Sequence, residues 1–326
     1  MFSRAVRLIH VHGIEVRLDP SLAVIAILVA WTFSTRFSPA FGWPLAVVMA
    51  LVGATLFFAS ILAHELAHAF EARHRGIDVR GITLFLFGGV TEMDAHAHRP
   101  RDEFAIAAVG PWASLVCAAV FGLVATASRA VIDPAGPAIG AVAGLLGWLN
   151  LALAIFNLVP GAPLDGGRVL RALLWGLLRR RDRAVSITSW LGQLLGLGLV
   201  GFGIWVAVVS TGAVLGALWY LVVGMFLFSA ARRELGAARL DATYTHTTVG
   251  DLLDGHRDIG GELLVDASTL PRIDADADLH ALIDAFADHD AVAVTRQGDI
   301  VAVLPQRWVA TALRDITQSR GRVGAS

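Results

Sequence analysis

Ala63-His64-Glu65-Leu66-Ala67-His68-Ala69 closes a long apolar run that spans 44–70. A bilayer core takes about 20 apolar residues as a helix. The run is therefore long enough to cross one, and it carries His64, Glu65 and His68 near its end. On a helix, positions i and i+4 lie on one face, so the two histidines can share a metal ion. Glu65 sits next to that face, within reach of a water at the ion. Ionisable groups inside a spanning helix are costly and functional by default. With no basic side chain close by in sequence, these three call for a compensating cation, which a metal supplies.

The rest of the chain has the same character. Of its 326 residues 56% are hydrophobic and only 16% charged, against about a quarter charged in soluble domains. Further apolar stretches lie at 21–34, 104–127, 138–159, 188–210 and 213–231, giving six predicted spans with 44–70. The start, Met1-Phe2-Ser3-Arg4, has no charged-then-apolar leader with a cleavage site, so the first run is read as a retained anchor. A net charge of −1 argues against nucleic acid as a partner. The single cysteine, Cys117, lies in an apolar run and is read as a small buried hydrophobe.

Arginines set the expected orientation. Arg73, Arg75 and Arg80 follow the second span, and Arg168, Arg171 and Arg179–Arg181 lie between the fourth and fifth. Arg232 and Arg233 follow the sixth, whereas the opposite loops hold only Arg36 and Arg129. Cytoplasmic loops carry the basic excess, so both termini are predicted to be cytoplasmic.

Three segments are not spans. His10–Leu18 alternates as one short strand, with Ile14, Val16 and Leu18 on one face. Gly81-Ile-Thr-Leu-Phe-Leu-Phe-Gly-Gly-Val-Thr-Glu92 is too short to cross, and its Gly88-Gly89 pair predicts a hairpin or re-entrant strand. Asn157-Leu-Val-Pro-Gly-Ala-Pro-Leu-Asp165-Gly-Gly cannot stay helical through Pro160, Gly161 and Pro163. It should unwind, with a new helix from near Leu164 to about Arg180.

A catalytic zinc takes three protein ligands and one open position. His10, His12, His74, His96, His98, His246, His256, His280 and His289 lie in polar flanks or in the tail and are poor third ligands. Asp165 is better placed, in the broken segment and in apolar surroundings. Spacing alone leaves it open whether Asp165 is a ligand or the cap of the following helix.

After about residue 236 the chain turns polar and acidic, with Asp274, Asp276 and Asp278 in sequence. Strand-like runs at Glu262–Asp266, Ala291–Thr295 and Asp299–Leu304 flank a helical run at Asp278–Ala287. The fold class expected is a multi-pass α-helical membrane protein with about six spans and a short membrane-associated β-hairpin, plus a small soluble α/β domain. The domains are expected at 1–235 and 236–326.

His64-Glu65-Leu66-Ala67-His68, Phe87-Gly88-Gly89 and the Asn157–Gly167 segment resemble the site-2 protease family of intramembrane metalloproteases. Gly13-Ile14 with Pro20, and Gly110-Pro111, fit the same pattern. The likeness covers roughly residues 10–230. It implies one Zn2+ per chain held by His64, His68 and Asp165, with Glu65 as the catalytic acid/base. It implies that Asn157 contacts the substrate or the developing oxyanion. It also implies that Gly88 and Gly89 belong to the element that holds an unwound substrate as an added strand. The substrates implied are membrane-anchored proteins, such as anti-sigma factors or other transcription regulators, cut in the lipid bilayer of a prokaryotic cytoplasmic membrane. The tail, about 246–316, resembles a cystathionine-β-synthase-type (CBS) regulatory module through Thr248-Val-Gly-Asp-Leu-Leu253. Such modules work in pairs, so one copy per chain implies a homodimer. Pro305-Gln-Arg-Trp308 replaces the family's nucleotide-binding Ser/Thr-x-x-Asp, which argues against an adenosine nucleotide.

Two other readings use the same residues. A transporter or channel also lines its path with buried His, Glu and Asp, but it gives Glu65 no reason to stand between two ligating histidines. An inactive family member serving as a scaffold has no need of a complete His, Glu, His and Asp set.

Overall fold

The computed structural model describes residues 5–86, 88–93, 97–131, 135–210, 214–255, 270–286 and 289–313. The chain divides into two compact units, Met1–Glu234 and Leu235–Ser326.

The first unit opens with a hairpin, β1 (Val6–Val11) and β2 (Ile14–Leu18), paired antiparallel. This corrects the single strand expected over His10–Leu18. His12 and Gly13 both adopt positive φ, 49° and 77°, the backbone of a tight two-residue hairpin turn. Residues other than glycine are uncommon in this region. Arg73 supports the turn by donating to the carbonyls of His12 at 2.7 Å and Gly13 at 2.9 Å.

Two long helices follow, α1 (Ser21–Phe41) and α2 (Trp43–His74), broken apart at Gly42 with φ 73°. Then come β3 (Val79–Phe85) and β4 (Gly88–Met93), paired antiparallel. The hairpin expected over Gly81–Glu92 is thus present, as half of something larger. β3 also pairs in parallel with β2, giving a four-stranded sheet in the order β1-β2-β3-β4. Its inner face buries Ile14, Val79, Ile82 and Leu84 against Ala69 and Ala72 of α2. That packing lays the sheet on the end of α2 that carries the histidines.

The remaining helices of this unit are α3 (Pro100–Ala127), α4 (Ala135–Asn157), α5 (Asp165–Leu178), α6 (Arg181–Val209) and α7 (Val214–His246), inside which the unit boundary falls. α3 starts as such helices should, with Pro100 in its first turn and Asp102 and Glu103 near its positive end. Among the described residues five helices are long and apolar enough to cross a membrane: α1, α2, α3, α4 and α6. The sixth expected span, 213–231, is not among them. Its apolar residues form the first part of α7, which follows directly on residues outside the described set.

Burial runs opposite to that of a soluble protein. Ile27, Trp31, Leu123 and Trp205 are exposed, while Ser60, Ser114, Asn150 and Thr188 are buried. Exposed apolar surface on this scale would be unstable in water. Small and polar residues between helices are how helices pack in lipid. Gly196 of α6 and Gly224 of α7 illustrate the point, since a Cβ on either would lie 2.7 Å from the other's carbonyl oxygen. The chain is a multi-pass membrane protein.

In the second unit, α8 (Val249–Gly255) precedes β5 (Arg272–Asp274), α9 (Leu279–Ala285), β6 (Ala291–Arg296) and β7 (Asp299–Pro305), and 306–313 is helical. The sheet order is β5-β6-β7, with β5 and β6 parallel and β6 and β7 antiparallel. Val249, Leu252, Leu279, Leu282, Val292, Val294 and Leu304 make its core. Thr248 and Asp251 bond reciprocally, at 3.0 and 3.1 Å, in the manner of a capping box on α8. The expected strand Glu262–Asp266 lies outside the described residues.

Candidate metal centre

α2 delivers two histidines to one point. His64 Nε2 and His68 Nε2 lie 3.2 Å apart. Asp165, the first residue of α5, reaches the same point, with Oδ2 3.1 Å from His64 Nε2 and Oδ1 3.3 Å from His68 Nε2. All three residues are buried, at 4%, 4% and 9% exposure.

The arrangement fits a cation. His68 Nδ1 lies 2.6 Å from the carbonyl oxygen of Ile106. A carbonyl only accepts, so Nδ1 carries the proton and a neutral His68 turns the Nε2 lone pair to the centre. His64 Nδ1 meets Ser114 Oγ at 2.9 Å, a hydroxyl able to accept in the same way. Two imidazole lone pairs and a carboxylate then converge with no proton between them. Donors at 2.0–2.1 Å from a tetrahedral zinc lie about 3.3 Å apart, close to the spacing seen here. Two nitrogens and one carboxylate are also a donor set of catalytic zinc sites.

α3 forms the wall behind the histidines, and it does so at four-residue intervals. Ile106 offers its carbonyl, Gly110 offers space, and Ser114 offers its hydroxyl. A Cβ at Gly110 would lie 2.2 Å from His68 Nε2 and 2.7 Å from His64 Nε2. Any side chain there would drive the two ligand atoms off the point. Ile106 and Ser114 were not picked out from the sequence. Counting one helical turn either way from Gly110 would have found both.

Asp165 is held by the break in the chain before it. Residues 158–164 leave the helix as Pro160 and Pro163 require, and Ala162 donates its N–H to the carbonyl of Thr188 on α6 at 3.0 Å. α6 comes so close that a Cβ on Gly192 would lie 1.8 Å from the Ala162 oxygen. Leu164 stands at the cap position of α5 and makes no side-chain cap bond. The Asp165 carboxylate meets the two histidines instead.

Glu65 is half-buried, and its Oε2 accepts a hydrogen bond from Thr91 Oγ1 of β4 at 2.9 Å. Gly89 of β4 lies on the same side chain, where a Cβ would sit 2.3 Å from Glu65 Cγ. Gly88 precedes it with φ 129°. Asn157 ends α4, half-buried.

Two cavities meet at Glu65 and Asp165. One, of about 490 Å³, has a mixed lining that brings the charged side chains of Glu103, Arg168, Arg171 and Glu234, with His68, beside apolar residues such as Ile77 and Met93. Arg171 there bonds Glu103 at 2.5 Å and also pairs with Glu234, joining α5 to α3 and α7. The other, of about 620 Å³, is mainly apolar and lies between Ile25 and Val29 of α1, Phe57 and Ile61 of α2, and Trp219 and Phe226 of α7. Gly88, Gly89 and Asn157 line this second cavity. Among the described residues, the histidines set aside as poor third ligands do not join the centre. His10, His12, His74, His98 and His289 are exposed, and His96 and His256 lie outside the described residues.

Residues 52–199 match the family model of Peptidase family M50. The membrane portion of this chain belongs to that family. Rip3 of Mycobacterium tuberculosis, which carries the name of a zinc metalloprotease, is 40% identical over 233 residues, covering 71% of this chain and 58% of that protein. The similarly named sll0528 of Synechocystis is 38% identical over 231 residues, covering 67% of this chain and 56% of that one. This M50 chain thus spans a little under three fifths of the length of these relatives. Among solved structures, the site-2 protease from Methanocaldococcus jannaschii is 26% identical, with a TM-score of 0.49, over 71% of this chain and 95% of that one.

Proposed function

We propose that this M50 chain is an intramembrane zinc metalloprotease that hydrolyses peptide bonds within or near the spans of membrane-anchored proteins. The observation that carries the reading is the meeting of the two cavities. Three ligand atoms and the Glu65 carboxylate stand where a cavity carrying charged side chains joins a mainly apolar one. Hydrolysis in a membrane needs water from one side and an apolar segment from the other.

His64, His68 and Asp165 would hold a zinc ion, which would supply Lewis acidity toward a water and a peptide carbonyl. Glu65 takes the proton from the attacking water and later gives it to the leaving amine nitrogen. Asn157 reaches the carbonyl oxygen with its side-chain amide as negative charge develops there. The helix of a substrate span hides its carbonyls in hydrogen bonds, so the segment to be cut must unwind. An unwound strand can add to the open edge of β4 beside Gly88 and Gly89, and β4 stands at the edge of its sheet. Water reaches Glu65 from the cavity lined by Arg168 and Arg171. The substrates proposed are membrane-anchored regulators of transcription, anti-sigma factors among them.

Cleavage of a single-span substrate by the purified chain in lipid vesicles tests the reading. A chelator should stop cleavage and added zinc should restore it. Cleavage that persists after zinc is fully removed would overturn the reading.

The chain is proposed to lie in the cytoplasmic membrane with both termini inside, the first part of α7 serving as the sixth crossing. A reporter fused after residue 326 should then read as cytoplasmic. A reading on the far side would leave an odd number of crossings and refute the orientation.

A further inference from the structure

The Glu65 carboxylate spends one oxygen, Oε2, on the Thr91 hydroxyl at 2.9 Å. No hydrogen bond to Oε1 is found among the described residues. Thr91 and Gly89 lie two apart on β4, so their side-chain directions share a face of the strand. That face rests on Glu65. Gly89 leaves room for the side-chain methylenes, since a Cβ there would come within 2.3 Å of Glu65 Cγ, and Thr91 meets the carboxylate. Glu65 borders both cavities.

We propose that Thr91 is a positioning residue for Glu65. Its hydroxyl holds the carboxylate in one orientation through Oε2 and leaves Oε1, which lies beside Gly89 where both cavities are lined, to take the proton. The inference rests on the reading of Glu65 as the general base. A general base must stand within hydrogen-bond reach of the proton it takes, and a glutamate has three torsions to fix before it does. A neutral hydroxyl fixes them without burying a second charge beside the metal centre. Because β4 is also the edge strand of its sheet, the strand that would receive substrate is the strand that aims the base. Only the orientation of Glu65 should depend on Thr91, not the metal and not the fold.

The test compares the zinc-loaded full chain with its Thr91→Val, Thr91→Ser and Glu65→Gln variants on one single-span substrate in vesicles. Valine keeps the volume and removes the donor, and serine keeps the donor. For Thr91→Val the expected result is a fall in kcat of about 10- to 100-fold, the range for a displaced catalytic group. KM, zinc content and melting temperature should stay at wild-type values. Thr91→Ser should restore kcat to within a few-fold of wild type. The inference is overturned if Thr91→Val keeps a wild-type kcat, raises KM alone or loses zinc, or if Thr91→Ser is as poor as Thr91→Val. Wild-type activity in Glu65→Gln would instead overturn the reading of Glu65 as the general base, so the two failures can be told apart.

Discussion

Glu65→Gln should abolish cleavage while leaving the metal centre intact. Glutamine has the shape of glutamate, and its carbonyl oxygen can still accept from Thr91, which lies 2.9 Å from the native carboxylate. Gly89 leaves room for the same methylenes. The three ligand atoms come from other residues. What is lost is the ability to take a proton from water and return it to the leaving amine. General acid–base catalysis of this kind contributes about 10²- to 10⁴-fold, and cleavage should fall by that much. The measurement is co-expression with a single-span substrate, wild type against variant, with zinc content determined on the purified proteins. Undiminished cleavage by Glu65→Gln would remove the mechanism. Loss of zinc in that variant would show that Glu65 supports the centre rather than reacting at it. A transporter or channel gives the opposite expectation, since its flux has no need of a base between two ligands.

The parts of this centre differed in how far the sequence disclosed them. His64 and His68 were legible because the helix that joins them is local and its period fixes their spacing. Asp165 was not legible from spacing alone. It lies 101 residues from His64, and what brings it there is a broken segment pinned to α6 through Ala162 and Gly192. That contact is tertiary and leaves no periodic trace. Ile106 was hidden for another reason, since it acts through its carbonyl, which any residue has. Ser114 is a small residue in an apolar run, and only the packing of α3 against the histidines at Gly110 gives it a role.

The sheet was half legible. Gly88-Gly89 marked the β3–β4 hairpin, where they open β4, whereas the β1–β2 turn fell on His12-Gly13. A non-glycine residue in the left-handed region is uncommon, and here Arg73 from α2 supports the turn. β1 also lacks the alternation that reveals a strand, because almost all of its residues are exposed. The six apolar runs were visible because length and hydropathy are properties of the chain itself. Small-residue contacts such as Gly196 with Gly224 were not, because they depend on which helix lies opposite.

Asp165→Ala and Asp165→Asn together separate a ligand from a cap. If Asp165 merely capped α5, alanine would cost about 1 kcal/mol of stability and asparagine almost nothing, with zinc retained in both. The geometry argues for another outcome. The carboxylate lies 3.1 and 3.3 Å from the two imidazole nitrogens, and Asp165 is the first helical residue of α5, one past the cap position held by Leu164. Both variants would then remove the one negative charge among the three donors. Loss of a partner that merely orients a ligand costs about 10- to 100-fold in metal affinity, and loss of a ligand itself should cost more. The expected result is that both variants purify with little or no zinc and cleave nothing. Asparagine should fail as alanine does, because it keeps the shape and the capping ability but not the charge. The measurement is metal content by mass spectrometry on the purified full chain, with thermal unfolding alongside. Intact zinc in Asp165→Ala would remove Asp165 from the ligand set. Zinc retained by asparagine and lost by alanine would mean that a neutral oxygen donor at this position is enough.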